Sequence, residues 1–294
     1  QYYHFGIEKG ILANLSKISG NFGSECLDMQ VSIDELPLFK SSSGHFWPIL
    51  GMLQSLRVPF IIELYCGNTK PKSAVEYLAD FVTEMAVLEE KGIQHGNRRY
   101  QQLFVVPPAR AFVKNIKSHT GYARCDICSQ HGVWNHKMTF PETDAPQHTN
   151  VEFKQMVDDK HHLGPSPFGN LNIGMISNFP QDYTHLVCLG VMRCLINLWI
   201  SGLLQNRINA ARIVSISDLL LSMKGFIAKE FTRKPRSLTE VDLDRWKTTE
   251  FRTFILYTGP VALLGNIRDA LSHRLPYARS WYKFVGQCQE CIFS

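Results

Sequence analysis

Three short apolar segments precede the first clear helix in this sequence, and together they require a sheet. In the first, Met29-Gln-Val-Ser-Ile-Asp34, an extended chain puts Val31 and Ile33 on one face and Ser32 and Asp34 on the other. Pro37 ends regular pairing, so a strand with a carboxylate at its end is expected. Residues 45–54 and 58–66 are also apolar, and the latter closes on Pro59-Phe-Ile-Ile-Glu-Leu-Tyr-Cys66, rich in β-branched and aromatic residues. Three consecutive strands, mostly antiparallel, are predicted. Ser73 with Glu76 then forms a capping box, Val75, Leu78, Val82, Met85 and then Leu88 or Glu89 give a helical stripe, and Gly92 ends it. Residues 100–106 read as a fourth strand and 109–118 as a short basic helix.

From 119 to 174 the periodicity weakens and His, Pro, Gly and Asn accumulate, which predicts an irregular insertion. Residues 182–204 predict a helix apolar almost all round and therefore buried. Ser237 with Glu240 reads as a second capping box, and Gly259-Pro260 is expected to stop the helix it starts. A chain of 294 residues suffices for one large domain or two ordinary ones, and 45% hydrophobic with 19% charged residues excludes collagen, coiled coil, mucin and a wholly disordered chain. The most apolar stretch, 186–200, is interrupted by Arg193 and Asn197 and is shorter than the roughly 20 residues a bilayer needs, so no membrane partner is expected. The opening Gln1-Tyr-Tyr-His-Phe5 has neither a basic nor an apolar leader region and reads as the interior of a longer protein. Eight cysteines without secretory cues fit free thiols or a metal site in a reducing compartment.

Four features bear on chemistry. Cys125-Asp-Ile-Cys128 offers two thiolates to one tetrahedral Zn²⁺, with His119, His131, His136, His148, His161, His162 or the later Cys288 and Cys291 as further donors; buried thiols and a redox pair are the alternatives. Asp34 holds a position that carboxylates take in two-metal phosphoryl transfer, but an ordinary turn residue fits as well. Between Glu90 and Asp126 there is no acid, while Lys91, Arg98, Arg99, Arg110, Lys114, Lys117 and Arg124 fall in that window. With a net charge of +5, this reads as a nucleic-acid backbone contact or as a solvated basic face. Asp182 reads as a helix N-cap, His185 as a core histidine, His161-His162 as a loop, and Trp134, Trp199 and Trp246 as packing residues.

Several words in this order resemble the CACTA (En/Spm) type of DDE DNA transposase, in the versions found in insect and other animal genomes. They are Val31-Ser-Ile-Asp34-Glu-Leu-Pro-Leu-Phe-Lys-Ser-Ser, Phe46-Trp-Pro-Ile-Leu-Gly51, Cys66-Gly-Asn-Thr-Lys-Pro-Lys72, Ala109-Arg-Ala-Phe-Val-Lys114, His119-Thr-Gly-Tyr-Ala-Arg-Cys-Asp-Ile-Cys128, Phe140-Pro-Glu142, Asp182-Tyr-Thr-His-Leu-Val-Cys-Leu-Gly-Val191 and Trp246-Lys-Thr-Thr-Glu-Phe-Arg252. The resemblance spans roughly residues 1–265. It implies an α/β fold: an RNase H-like mixed sheet, incomplete here, with a largely helical insertion containing the zinc knuckle. The expected division is 1–28 as a flank, 29–118 as the first part of the core, 119–265 as the insertion, and 266–294 as a divergent or frame-broken tail.

By the same resemblance, Asp34 matches the first catalytic carboxylate and Cys125 and Cys128 the knuckle cysteines. Arg98, Arg99, Arg110, Lys114, Lys117 and Arg124 are the expected DNA contacts. The lineage chemistry is two Mg²⁺ ions activating water and then a 3′-hydroxyl for attack on phosphodiesters, with Zn²⁺ in the knuckle. DNA is the implied partner, with self-association possible in principle, and the nucleus the implied location. Where the family carries an Asp before Pro-Ala, this chain reads Val105-Val106-Pro107-Pro108-Ala109-Arg110. The family's downstream histidine pair and final Glu are not reached by Ser294. The expectation is a transposase lineage without transposase activity; a domesticated DNA- or protein-binding module, and a fragment of an active enzyme with a sequence error near Val106, are the other readings.

Overall fold

The computed structural model describes residues 1–17, 26–37, 44–105, 110–117, 122, 125, 127–135, 137–142, 144–204, 207–239 and 243–264. The chain forms two compact units, Gln1–Gln181 and Asp182–Ser294. The first is mixed α/β. Its strands are β1 (Tyr2–His4), β2 (Cys26–Ile33), β3 (Leu36–Pro37), β4 (His45–Leu53), β5 (Pro59–Gly67), β6 (Ile93–His95) and β7 (Arg98–Val105). They lie in the order β1-β5-β4-β2-β7-β6, with β3 beside β4. All neighbours are antiparallel except β2 and β7, which run parallel with Gln30 opposite Val105. A parallel return needs a long crossover, supplied here by α2 (Ala74–Tyr77) and α3 (Ala79–Lys91).

Strand β2 shows why the sheet forms where it does. Leu27, Met29, Val31 and Ile33 are all buried on one face, while Cys26 and Asp28 are exposed on the other. The predicted helix from Ser73 forms in two pieces. Ser73 Oγ accepts the Glu76 N–H at 3.2 Å, the chain turns at Leu78, and α3 then buries Phe81, Met85 and Leu88. The break rotates Val75 out of the stripe, and it is exposed. Gly92 closes α3 with φ +65°, where a Cβ would stand 2.7 Å from the Tyr100 carbonyl oxygen.

The expected N-terminal flank is instead part of this unit. Strand β1 pairs with β5, and α1 (Ile7–Leu15) buries Ile7, Ile11 and Leu15 in the same core as β2. Gly10 lets α1 come down onto the sheet: a Cβ there would meet Phe60 at 2.1 Å. A polar cluster fastens the segment. His4 Nδ1 lies 2.8 Å from Glu63 of β5, and His4 Nε2 lies 2.8 Å from Glu84 of α3. Glu84 also accepts the N–H groups of Ile7 and Glu8, capping α1 from across the fold, and the Tyr2 hydroxyl donates to Asp80.

The segment expected as the start of an insertion also packs with the first unit, and the division falls at 181/182 rather than at 118. Here α4 (Arg110–Val113) is followed by a turn in which Asn115 has φ +55°, so the helix predicted over 109–118 is one turn long. Strands β8 (Val133–Asn135) and β9 (Lys137–Thr139) form a hairpin, and α5 (Asn150–Lys154) carries a complete capping box of Thr149 and Glu152. Trp134 is not a packing residue; it stands exposed on the hairpin.

The second unit is helical as far as it is described. A π-helical stretch, Thr184–Met192, runs into α6 (Arg193–Ser201), followed by α7 (Ala210–Ser222), α8 (Thr248–Thr253), a π-helical turn Phe254–Thr258 and α9 (Gly259–Leu263). The apolar helix 184–201 is buried along one face only, through Val187, Cys188, Met192, Ile196 and Trp199; Leu186, Val191 and Leu198 are exposed. By length and composition alone this helix could cross a membrane. Asp182 does cap it, accepting the Thr184 N–H at 2.8 Å. His185 is not a core residue: it is exposed and its Nδ1 bonds the Asp182 carboxylate. Burial pushes the Asp182 carboxyl up, but the bonds from His185 and Thr184 outweigh it and hold it below its ordinary value. Gly259-Pro260 does not stop the last helical run, because the wide turn 254–258 absorbs the missing proline N–H and Pro260 enters α9 in its first turn, where that donor is dispensable. The run starts at Thr248, after Lys247; Ser237 is buried and its hydroxyl bonds Thr239, while Glu240 and Cys288 and Cys291 lie outside the described residues.

The His4 cluster sets a pH dependence. Burial pushes the Glu63 carboxyl up to about 7, against the pull of His4. His4 is itself lowered by burial, but its bonds to Glu63 and Glu84 raise it above 6.5 overall. Both folded values lie above the unfolded ones, so this cluster's contribution is present in acid and is lost as pH rises from about 4.5 through about 7 and beyond. The urea midpoint of the first unit is expected to fall between pH 5 and pH 8, and to fall less in Glu63→Gln. An equal fall in both proteins would contradict this.

Candidate functional site

Strand β2 ends at Ile33, and Asp34 follows it, exposed at the rim of the sheet. Its Oδ1 accepts the Glu35 backbone N–H at 2.8 Å, and the Glu35 carboxylate lies 2.8 Å from His45 Nδ1 at the start of β4. Residues 106–109, where the resemblance expects its second carboxylate, lie outside the described residues. Among the described residues no three His, Cys, Asp or Glu side chains converge as a metal site. Magnesium demands six oxygens in near-octahedral array. Asp34 supplies too few for one such ion, still less two, and no step through them follows.

The Cys125–Cys128 turn is tied down on one side. Ser129 N–H bonds the Pro146 carbonyl at 3.0 Å, His148 N–H bonds that of Ile127 at 2.7 Å, and Cys128 bridges to Gln147. The Cys128 N–H points at Cys125 Sγ, 3.4 Å away, and the two sulfurs stand 3.2 Å apart. Both thiols are partly exposed rather than buried. Burial pushes the Cys128 thiol up; its backbone bond with Gln130 opposes this without cancelling it. Two thiols facing each other fit half of a tetrahedral zinc site. His119 and His136 lie outside the described residues.

The basic window disperses on folding. Arg98 and Arg99 are exposed on the β6–β7 hairpin, where Arg99 donates to the Glu90 carbonyl at 3.1 Å. Arg110 begins α4 half-buried, Lys117 is half-buried beyond the turn, and Arg124 lies outside the described residues. Lys114 is fully buried, its ammonium 4.9 Å from the Phe179 ring centre and 5.2 Å from that of Phe153. It therefore cannot touch a DNA backbone, and it shares no helical face with Lys117. Its long stem and its place among apolar neighbours put the charge inside, where aromatic faces replace water.

The sequence reading also missed a histidine cluster. Ile116 and His162 form an isolated antiparallel bridge, flanked by Lys117 N–H on the His161 carbonyl at 3.0 Å and Leu163 N–H on the Asn115 carbonyl at 2.9 Å. This buries His161, stacks His148 on it at 5.8 Å, and sets His162 edge-on at 5.3 Å. The rings line a cavity of about 390 Å³ that His131 and Glu152 share. Burial first, and then the charges of His161, His148 and Lys114, hold His162 below its ordinary value. The recurrence of histidine after 119 was visible; the pairing that gathers them was not. No family model matches this chain, and no curated protein matches its sequence.

Lys114→Ala is expected to cost about 2 kcal/mol or more of stability. Arg98→Glu and Arg99→Glu should each stay within about 0.5 kcal/mol of the parent. Urea denaturation followed by tryptophan fluorescence measures all three.

Proposed function

We propose that this chain is a DNA-binding protein of CACTA-type transposase lineage, built on an RNase H-like sheet, that holds DNA without cutting it. The observation that carries the reading is the strand order. Three consecutive antiparallel strands, β2, β4 and β5, are followed by a helical crossover that returns β7 parallel to β2 on its free side. An RNase H-like core requires this arrangement, with its first carboxylate at the end of the first core strand, where Asp34 stands. The chemistry of that lineage needs carboxylates converging on two divalent ions. At the family's second position this chain reads Val105-Val106-Pro107-Pro108 in place of an acid, which removes the ligand set while leaving the scaffold. The Cys125–Cys128 turn is the proposed zinc knuckle, its remaining ligands to be supplied by histidines. Arg98 and Arg99, each exposed on the β6–β7 hairpin, are the proposed backbone contacts.

Purified protein is expected to bind duplex DNA with log affinity falling linearly in log salt, and Arg98→Glu with Arg99→Glu should flatten that slope by about 1–2. Strand transfer on terminal-repeat DNA should be absent with Mg²⁺ and with Mn²⁺. Turnover abolished by Asp34→Ala would overturn the loss of catalysis, and an unchanged salt slope in the arginine variants would overturn the assigned contacts. Zinc analysis of the same preparation should give one ion per chain, lost in Cys128→Ser.

A further inference from the structure

In the second unit, the helical run from Thr248 exposes Thr249 and Tyr257, while Thr253 between them is buried with its hydroxyl donating to the Thr249 carbonyl at 2.9 Å. The segment before that run lays Phe231, Thr232 and Arg233 against it. Phe231 meets Tyr257 edge-to-face with ring centres 5.4 Å apart, and Tyr257 remains 47% exposed. Between them lies a cavity of about 280 Å³ whose wall also holds Arg233 and Arg252, with Glu230 its one acid among the described residues. It shares Thr232, Arg233 and Thr249 with a second cavity of about 560 Å³, to which Lys247 contributes and no acid does.

Of the two nearby carboxylates, Glu230 stands exposed at the rim and Glu250 is already spent. Glu250 is buried, takes the Arg236 Nε at 2.7 Å and the Lys247 backbone N–H at 2.8 Å, and stands 4.0 Å from Arg233. Arg233 meets Glu250 only at this long distance and is partly exposed, and Arg252 is exposed and forms no ion pair among the described residues. Arg233 and Arg252 share the wall of the smaller cavity with Tyr257, and Lys247 adds a further cation to the adjoining one. An exposed aromatic ring beside Arg233, Arg252 and Lys247 suits one ligand class: a strand with a negative backbone and planar bases free to stack. A duplex hides its base faces, so the ring would be idle on one.

We propose that this groove binds single-stranded nucleic acid, with a base stacked on Tyr257, buttressed by Phe231, and the flanking phosphates on Arg252, Arg233 and Lys247. The site lies wholly in the second unit and does not depend on duplex binding by the first.

The test is fluorescence anisotropy of labelled oligo-dT with the full chain, against a duplex of equal length and against thymidine monophosphate as competitor. Oligo-dT should bind in preference to duplex at this groove. Tyr257→Ala should weaken it about 10-fold or more, Tyr257→Phe should restore it, and Arg233→Glu with Arg252→Glu should weaken it and flatten its salt dependence. Circular dichroism of each variant separates loss of the site from loss of the fold, and photo-crosslinking of iodouracil-labelled oligonucleotide to the peptide around Tyr257 reads the site without any substitution. Weakening by the arginine changes but not by Tyr257→Ala would reduce the groove to a patch attracting any polyanion and overturn the proposal. Equal displacement by monophosphate and by oligo-dT, or no crosslink at Tyr257, would overturn it as well. Retained oligo-dT binding with no duplex binding would sink the reading of the first unit alone.

Discussion

The first unit depends on strand β2 lying inside the sheet with an unbroken alternation. Leu27, Met29, Val31 and Ile33 face one way and seat both α1 and α3 in a single core. Slipping that strand by one residue would send the whole set to the opposite face. The pairing with β4 on one side and β7 on the other prevents this, and everything placed at the strand's end, Asp34 included, inherits its position from that register.

The same unit places several charges inside at the cost of dedicated partners. Lys114 is held by two aromatic faces, Glu63 by an imidazole, and Glu84 by that imidazole and two backbone N–H groups. Buried charges of this kind are weak sources of net stability but are costly to disrupt one member at a time. They fix which elements meet: Lys114 joins the α4 turn to α5 and the Phe179 segment, and His4 joins two strands to two helices.

What could be read from the sequence was whatever rests on local periodicity. The three strands, the capping serine at 73, the stop at Gly92 and the cap at Asp182 follow from spacing and side-chain chemistry within a few residues. Other features depended on distant partners. Tyr2–His4 is too short to show a period, and becomes a strand only because β5 offers an edge. Lys114 looked like a surface cation because nothing within ten residues reveals Phe153 or Phe179. The helix at 184–201 is apolar on most of its circumference, yet its neighbours cover only one face. In the candidate sites the cysteine spacing was plain, while the gathering of His148, His161 and His162, and the meeting of Phe231 with Tyr257, arise from chain crossings that no window shows.

The placement of β1 has a consequence for the order in which the chain acquires structure. His4 finds Glu63 and Glu84 respectively 59 and 80 residues later in the sequence. During synthesis residues 2–8 therefore emerge long before Glu63 and Glu84 exist, and α1 must wait without the carboxylate that caps it. Closing so large a loop costs entropy before any contact rewards it. The edge of β5 is sealed only when Tyr2–His4 returns to it, so a segment made before its partners is committed after them.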